Sequence, residues 1–427
     1  MKIRVGFYLD NDTIYKKDCS NVLSGNPGIG GTEYMVILIA QLLTMRTNSL
    51  EVVLFCPKQG ILPKEIICKQ KSFNEAIRCA DQEGFDYFVF KHLVRHIESG
   101  ILDSIMSKMR LIPWCHVFQC YWEWDYYASN AQIYKILCVS REMMDLYMDH
   151  KGYEKACYIY NAVECRDASV RVFRHPYQNR RHIVTYIGSI VPFKGLHLLT
   201  KAWPQVLATV PDAELYIIGS AKLYDTEIKL GRFGIAEEEY EKEILEPILA
   251  ENKIIPSVHF MGLMGEEKNE ILLQTKVGVP NPSGKTETFG ISAVEMQMMG
   301  AKVTTIVCPG YLETVRNGLL YREPTELADC IINLLQSDDT DYENAMEYFK
   351  ENFSYNVVAS RWEQLLQTGE IIREKELQNA WYRKKNVKEK LRKIKRAIPC
   401  LYRFPPLERI MLATEKYRYG THGYLEV

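Results

Sequence analysis

The sequence has no long apolar run, no cysteine framework and almost no net charge. Its longest apolar stretch, Tyr34–Leu43, is about half of the roughly 20 residues that a membrane-spanning helix needs. Its 12 cysteines include no C-x-x-C pair, which argues against a disulfide scaffold or zinc site and favours reduced thiols in the cytosol. With 53 basic and 54 acidic residues, nothing points to nucleic acid as a partner.

The length and the first residues set the expected organisation. At 427 residues the chain exceeds one ordinary core, so we expect two domains of about 150–200 residues each. The opening stretch, MKIRVGFYLDND, turns polar too early for a secretory signal. Together with the reduced cysteines, this predicts a cytoplasmic protein.

Short apolar runs alternate with helical patterns through most of the chain, which is typical of parallel α/β layers. We therefore predict two α/β domains of similar, Rossmann-like build. The helical patterns cover Glu33–Met45, Arg141–His150, 195–210, 266–275 and 291–299. The strand-like runs are IRVGFYL, LEVVLFC, FDYFVFK, RLIPWCHV, KILCVS and ACYIYNAV, then HIVTYIGSI, AELYIIG, VHFMGLM, KVGVPNPS and KVTTIVC.

A polar and basic stretch, 166–181, interrupts this alternation and indicates an interdomain connection. Helical text closes the second domain through Trp362, and a basic segment unlike the rest follows it. The predicted organisation is an N-terminal domain over 1–165, the connection over 166–181, a C-terminal domain over 182–345, closing helices over 346–369 and a basic extension over 370–427.

The segment NPSGKTETFGISAVEMQMMG, residues 281–300, carries the most chemistry. Glu287 lies in a polar turn, Gly290 opens a helix, and Glu295 lies in the early turns of that helix. A helix N-terminus suits a diphosphate, and carboxylates accept hydrogen bonds from sugar hydroxyls. The pattern favours a ligand with a diphosphate between two polyhydroxylated rings. The alternative is a capping box followed by solvent-facing glutamates.

The E-x7-E spacing from Glu287 to Glu295, with TFGISAVE between, resembles the signature of glycosyltransferase family four. Members of this family are retaining, nucleotide-sugar-dependent enzymes of the GT-B fold. The segments KILCVSREMM, YIYNAVE, HIVTYIGSIVPFKG and PGYLETVRNGLLY also resemble family segments and follow in the same order. The resemblance covers residues 1–362 and implies two Rossmann-like domains that face each other across a donor-binding cleft.

The resemblance also implies roles for individual residues. Lys194 would bind the donor diphosphate, His116 would lie beside the donor sugar, and Glu287 would bind sugar hydroxyls, without a metal or other cofactor. Same-face attack on the anomeric carbon is implied, since no carboxylate must act as the nucleophile. Other implied contacts with the nucleotide sugar are Gly30, Gly31, Asn161, Ser189, Phe289, Gly290, Ile291 and Glu295, and Ser140 matches a serine at a strand end.

The sequence departs from the family pattern at Ser189, where many members have a basic residue paired with the lysine. A serine can hydrogen-bond a phosphate but cannot neutralise it, so Lys194 and the helix dipole would carry more of the binding. Arg232, in the insertion KLGRFGIAEEEY, is a candidate replacement for the missing charge.

The loop GNPGIGGTEY, residues 25–34, first suggests a dinucleotide fingerprint, G-x-G-x-x-G. It fails because Glu33 stands at the third glycine position and because the loop begins about 15 residues after the first strand. Family-four enzymes have a glycine pair before a glutamate here. Gly30 and Gly31 therefore resemble a flap that reaches the phosphates and sugar of the donor.

Two other patterns leave alternatives open. Asp10 and Asp12 form a D-x-D pattern, but at the end of a first strand an ordinary polar turn is favoured over a metal site. The aromatic run WCHVFQCYWEWDYY suits either an acceptor cleft, in which sugars stack on rings, or core packing. The aromatic residues concerned are Trp122, Trp124, Tyr126 and Tyr127.

The basic extension contains a helical pattern with a narrow apolar stripe. Glu389 is the lone acid between Tyr382 and Pro399. This pattern is typical of a helix on anionic lipid, although the stripe would also suit docking onto the protein itself. The residues of the stripe are Val387, Leu391, Ile394 and Ile398.

Together these observations predict a cytoplasmic, retaining and metal-independent glycosyltransferase, hexosyl- or N-acetylhexosaminyl-transferring. Its partners would be a nucleotide sugar, a glycan or lipid-linked glycan acceptor and the anionic inner face of the plasma membrane, and its role cell-surface polysaccharide or lipopolysaccharide synthesis. The alternatives are a catalytically inactive sugar-nucleotide-binding protein, a nucleotide-sugar epimerase and a phosphorylase of the same fold.

Overall fold

The computed structural model describes residues 2–46, 48–91, 101–102, 104–165, 168–223, 225, 227–369, 387–398, 400–401, 404–407 and 409–410. The chain divides into two compact units, and each is discontinuous in sequence. The first unit comprises Met1–Asn21, Thr32–Ala162 and Asn356–Val427. The second comprises Val22–Gly31 and Val163–Tyr355.

The first unit is built on a seven-stranded sheet with the strand order β3-β2-β1-β4-β5-β6-β7, and all its pairings are parallel. The central strands are apolar almost throughout because helices cover both faces of such a sheet. The strands are β1 Ile3–Tyr8, β2 Leu50–Cys56, β3 Ile67–Gln70, β4 Tyr87–Lys91, β5 Arg110–Cys115, β6 Ile136–Cys138 and β7 Ala156–Tyr158.

Among the residues that the structure describes, four helices of the first unit lie between these strands in sequence. Helix α1 is the longest, and its interior is buried on nearly all sides, as expected for the run MVILIAQLL. Helix α2 begins with a capping box between Ser72 and Glu75, which satisfies backbone N–H groups of its first turn. The four are α1 Gly31–Arg46, α2 Phe73–Gln82, α3 Tyr121–Ser129 and α4 Arg141–Asp145.

The second unit contains a six-stranded parallel sheet with the order β12-β9-β8-β13-β14-β15 and a separate two-stranded antiparallel pair, β10-β11. Its core forms around Tyr186, Trp203 and Tyr240. The strands are β8 Ile183–Ile187, β9 Glu214–Ile218, β10 Leu249–Ala250, β11 Lys253–Ile254, β12 Val258–Gly262, β13 Val277–Gly278, β14 Lys302–Ile306 and β15 Gly318–Tyr321.

Eight helices in the described residues complete the second unit. Helix α6 follows β8 and packs against α7 and α11. Helix α9 follows the loop after β13 and is the helix predicted from ISAVEMQMM. The eight are α5 Ala168–Phe173, α6 Leu196–Thr209, α7 Glu238–Leu245, α8 Lys268–Leu272, α9 Ile291–Met298, α10 Pro309–Thr314, α11 Leu327–Gln336 and α12 Tyr342–Asn352.

The last helices return to the first unit. Helix α13, Tyr355–Thr368, was expected to close the second domain, yet from Asn356 onward it groups with the first. The reason is Trp362, whose buried ring lies 5.5 Å from that of Phe7 and 4.8 Å from that of Trp114. Helix α14, Val387–Ala397, also belongs to this unit. No helix in the described ranges combines the length and apolar character needed to cross a membrane.

The stretch expected to be an interdomain connection, 166–181, is instead structured within the second unit. Its described part contains α5, and Tyr177 is buried with its hydroxyl donating to the carbonyl of Leu334. Arg180 is also buried, and its guanidinium donates to the carbonyls of Thr275 and Met299 at the ends of two helices. A cation at helix C-termini compensates their negative dipole ends, which explains this basic, polar sequence. Burial lowers the pKa of Arg180 to about 10.

Candidate functional site

Two loops at one edge of the second sheet carry the predicted diphosphate-site residues. Strand β8 ends at Ile187, and the loop after it leads through Lys194 into α6. Strand β13 pairs in parallel with β8, so the loop after Gly278 starts at the same edge. In open α/β sheets this carboxyl edge is where ligands bind. Local topology therefore explains how residues about 90 positions apart become neighbours.

Lys194 and Glu287 form an ion pair at the centre of this edge. Nζ of Lys194 lies 3.0 Å from Oε2 of Glu287, and the two side chains are 14% and 16% exposed. The backbone N–H of Gly290 donates to the other carboxylate oxygen at 3.0 Å. Both oxygens of Glu287 are thus engaged, which fixes the plane of the carboxylate. The structure brings these three predicted residues together.

Asn281 is a third partner of this carboxylate, and sequence reasoning missed it. Its Nδ2 donates to Oε2 of Glu287 and to the carbonyl of Lys285, each at 3.0 Å. Its side chain is buried, and its φ of 30° is unusual for a residue other than glycine. Thr286 also has a positive φ, 59°. Strained backbone conformations of this kind are common at functional sites, and the sequence NPSGKTE gives no indication of them.

Gly290 is required where it stands. Its φ is 77°, and a Cβ there would lie 2.5 Å from Cε1 of Tyr311. Ile291 then begins α9, so the first backbone N–H groups of the helix lie next to the Glu287 carboxylate. Phe289 is buried, with its ring 5.0 Å from that of Phe353, and therefore serves packing in the second unit.

The glycine after the lysine has a similar role. Gly195 has a φ of 71°, and a Cβ there would lie 2.7 Å from the backbone nitrogen of Ser283. The hydroxyl of Ser283 donates to the carbonyl of Phe193. These contacts join the two loops directly. In the K-G pair of the motif, Lys194 therefore provides the positive charge, and Gly195 allows the two loops to approach closely.

Ser189 and Arg232 differ in how they meet the expectations. Ser189 is buried at the same edge, and its hydroxyl donates to the carbonyl of Ser220 at 3.2 Å. Arg232 is exposed, and its guanidinium lies 5.5 Å from the ring of Phe233. In the part of the chain that the structure describes, the side-chain contact of Arg232 is thus with Phe233 and not with Ser189 or Lys194.

Glu295 lies on α9 and pairs with Lys268, which the sequence patterns did not predict. Nζ of Lys268 is 3.5 Å from Oε1 of Glu295 and 3.6 Å from Oε1 of Glu266, and Lys268 is only 5% exposed. Burial acts to lower the pKa of Lys268, but the two carboxylates outweigh it and the pKa is raised. The sequence carries one signal for this lysine. Lys268 and Leu272 are four residues apart, so both lie on the same, buried face of α8.

The glycine-rich loop belongs to the second unit together with these acids. A Cβ at Gly25, whose φ is 139°, would lie 1.8 Å from Oε1 of Glu266. A Cβ at Gly28 would lie 3.4 Å from Cγ of Leu263. Gly30 and Gly31 end the same Val22–Gly31 segment. The loop therefore packs beside the Glu266–Lys268–Glu295 group, although the chain reaches it more than 200 residues earlier.

We predict that Lys268→Met lowers the free energy of unfolding by about 2 kcal/mol, because the variant leaves two partly solvated carboxylates without their buried cation. The raised pKa keeps Lys268 charged at neutral pH, so the difference from wild type should stay constant from about pH 6 to 9 and decline only above the unfolded lysine pKa of about 10.4. Urea unfolding at several pH values measures it.

The matched control is Lys242→Met, which removes a lysine from an exposed pair with Glu239. Exposed pairs of this kind contribute little to stability, because solvent screens the two charges. Equal effects of the two substitutions would show that Lys268 does not organise this group.

In the first unit, three predicted residues follow strand ends of the seven-stranded sheet. His116 follows β5, is buried, and lies 4.4 Å from Trp114 by ring centroids. Asn161 follows β7 and is buried, and its Oδ1 accepts no hydrogen bond from the described residues. Ser140 instead caps α4, since its hydroxyl accepts from the backbone N–H of Met143.

The two open patterns both receive structural explanations. Asp12 pairs with Lys58 at 3.2 Å and its backbone N–H donates to Asp10, as in a polar turn. Within the described ranges no group of three or more His, Cys, Asp or Glu side chains is placed to hold a metal ion. In the aromatic run, Trp124 and Tyr127 are fully buried in the core, and Trp122 is 43% exposed.

Comparisons with known proteins agree with this architecture. Residues 181–337 match the family model described as glycosyl transferases group 1. A glycosyltransferase from Rickettsia africae ESF-5 superimposes with a TM-score of 0.64 at 14% identity, over 86% of this chain and 98% of that one. The chain has the GT-B fold. The predicted fold class is thereby confirmed.

Two further solved structures have a similar fold. WaaG, a glycosyltransferase involved in lipopolysaccharide biosynthesis, has a TM-score of 0.56 at 13% identity, over 86% of this chain and 100% of that one. A TarM mutant from S. aureus, solved with Fondaparinux, alpha-GlcNAc-glycerol and UDP, has a TM-score of 0.51 at 17% identity, over 70% and 60%. Comparison with curated proteins gives no match.

Proposed function

We propose that this GT-B protein is a retaining, metal-independent glycosyltransferase of family four. It transfers a hexosyl or N-acetylhexosaminyl group from a nucleotide-diphosphate sugar to a glycan or lipid-linked glycan. The observation that carries the proposal is the Lys194–Glu287 pair beside the N-terminus of α9, inside the stretch that matches the glycosyl transferase model. A cation, helix N–H donors and a fixed carboxylate are what a diphosphate-linked sugar requires.

The chemistry is departure of a nucleoside diphosphate from the anomeric carbon. Negative charge grows on the leaving phosphate oxygens, and Lys194 with the first N–H groups of α9 would stabilise it. Glu287 is a poor nucleophile because both its oxygens already accept hydrogen bonds, so it would bind sugar hydroxyls instead. This supports same-face attack by the acceptor hydroxyl.

The proposed setting is cell-surface polysaccharide or lipopolysaccharide synthesis. The GT-B relative WaaG acts in lipopolysaccharide biosynthesis, which supports a lipid-linked acceptor. Such an acceptor would place the enzyme in the cytoplasm and at the inner face of the plasma membrane.

A thermal-shift screen of UDP, GDP and ADP sugars tests the proposal. A ligand at about 100 times its Kd stabilises a protein by about 2.7 kcal/mol, which corresponds to a rise in Tm of several degrees. We expect one nucleotide class to give this rise and its sugar to be consumed only when an acceptor is present. Turnover without acceptor would indicate an epimerase, and turnover that depends on inorganic phosphate would indicate a phosphorylase.

A second candidate is a sugar-nucleotide-binding protein without catalysis, which Ser189 favours. Its hydroxyl is bonded to Ser220 and brings no positive charge to the phosphate site. Donor binding without consumption across a broad acceptor panel would support this candidate against the enzyme.

A further inference from the structure

Helix α14 contacts the first unit through basic side chains. Nζ of Lys395 lies 3.0 Å from Oδ2 of Asp149, with 12% and 0% of the two side chains exposed. The same carboxylate oxygen accepts a hydrogen bond from the backbone N–H of Leu407. The guanidinium of Arg396 lies 4.3 Å from the ring centroid of Tyr153. These contacts fix which face of the helix is turned toward the unit.

The apolar stripe of α14 is therefore turned outward. Amphipathic helices on folded proteins normally bury such a stripe, and one of the two interpretations of the sequence was docking of this kind. Here Lys395 and Arg396 occupy the docked side, and the stripe remains open to solvent. Its residues and their exposed fractions are Val387 64%, Leu391 46%, Ile394 53% and Ile398 41%.

Positive charge surrounds this exposed stripe. Lys388, Lys390 and Lys393 are exposed on the same helix. Residues 387–398 contain six basic side chains and one acid, Glu389, whereas the whole chain has a net charge of -1. The charge is thus concentrated beside the apolar residues. An exposed apolar patch with a polar rim marks an interaction site.

We propose that the stripe and its flanking lysines bind the anionic surface of a lipid bilayer. A helix with an apolar line and a lysine-rich polar face lies in the plane of the interface, with its apolar side chains among the upper acyl chains. Lysine ammonium groups reach back to the anionic headgroups. Charge complementarity favours anionic lipid over a second copy of this chain, whose α14 would carry the same positive charge.

The inference rests on the proposed function for its purpose, since a lipid-linked acceptor lies in a membrane. Its test uses neither donor nor acceptor. Failure of membrane binding would therefore leave the nucleotide-sugar assignment standing, and failure of the nucleotide screen would leave membrane binding standing.

The test is flotation of the full-length protein with vesicles. One set is pure phosphatidylcholine, and in the other about a third of the lipid is phosphatidylglycerol. We expect flotation with the anionic vesicles alone, and its loss at about 1 M salt, where the Debye length falls to about 3 Å.

Two double variants separate the apolar and electrostatic contributions. Leu391→Ser with Ile394→Ser should lower vesicle binding about 30-fold, since each removes buried apolar surface. Lys388→Ala with Lys390→Ala should lower it about 30-fold at low salt, because each lysine near an anionic surface contributes about a fivefold gain. Met106→Ser is the matched control, since Met106 is 91% exposed on the same unit and lies outside the helix.

The control should float as the wild type does. Equal flotation of wild type and the Leu391→Ser, Ile394→Ser variant would overturn the proposal. Wild type that does not float but self-associates, with a dimer that the same variant abolishes, would show that the stripe pairs two chains. Absence of both flotation and self-association would show that another part of the chain covers it.

Discussion

Glu287→Gln is expected to lower the rate of sugar transfer about 10²–10³-fold while the protein keeps its fold. The glutamine oxygen still accepts from the backbone N–H of Gly290, but the amide nitrogen cannot accept from Lys194 or Asn281. The negative charge that would hold the sugar hydroxyls is lost, whereas the phosphate donors remain. Affinity for the bare nucleoside diphosphate should therefore be retained, which titration calorimetry measures beside initial transfer rates.

Glu347→Gln is the control for this variant, since Glu347 is exposed on α12. It should transfer sugar at the wild-type rate. Near-normal turnover in Glu287→Gln would contradict the assignment of Glu287 to the donor-sugar site. Lost diphosphate affinity would show that Glu287 orders the phosphate site through Lys194 and does not contact the sugar.

Lys194→Met is expected to weaken nucleoside diphosphate binding about 10–100-fold and to lower transfer about 10³-fold. Methionine preserves the length and apolar stem of the side chain but removes the cation that lies 3.0 Å from Glu287. The phosphate loses a charge-assisted donor in the ground state and a larger stabilisation as the leaving group becomes more negative. Position 189 is a serine and carries no charge, so it cannot compensate for the positive charge that Lys194→Met removes.

Initial rates across donor concentrations separate the two effects, since weaker binding raises KM and lost leaving-group stabilisation lowers kcat. Lys201→Met is the control, since Lys201 lies on α6 in an exposed pair with Glu243. Unchanged diphosphate affinity in Lys194→Met would contradict the assignment. The Glu287→Gln and Lys194→Met variants should thus differ in one readout, the affinity for the diphosphate without sugar.

Alternation of apolar runs predicted most strands and the α/β class, because strands in covered parallel sheets are continuously apolar. Four strands were missed: the short antiparallel pair β10 and β11, and one edge strand in each parallel sheet. Strand β3, ICKQ, lies at an edge of the first sheet and is mostly exposed, and β15, GLLY, lies at an edge of the second. Edge strands lose the apolar pattern because solvent replaces one layer of packing.

Helix α4 shows a different limit. It was predicted to reach His150 but ends at Asp145, and a new turn begins where Nδ1 of His150 accepts from the backbone N–H of Gly152. A histidine that caps the next turn cannot be told from one that ends a helix by periodicity alone.

In the candidate site, features that depend on local sequence were predictable, and features that depend on long-range contacts were not. The proximity of Lys194, Glu287 and Gly290 was predictable because the motif spacing and the helix start are local features, and their role in donor binding stays a prediction. Asn281 and Lys268 were missed because their contacts depend on a strained loop and on a partner 27 residues away. The return of Trp362 to the first unit also depends on long-range packing, which helical text does not reveal.

That return has a consequence for how the protein is made. Phe7 and Trp114 leave the ribosome early, but Trp362, which packs against both, is translated after the whole second unit. At about 5–20 residues per second, the roughly 250 residues between Trp114 and Trp362 take about 12–50 s to synthesise. The second unit needs only the earlier loop Val22–Gly31 to be complete. The first unit is therefore synthesised first, but its core is completed last. Until the C-terminal helices emerge, its aromatic residues Phe7 and Trp114 lack the packing that Trp362 provides.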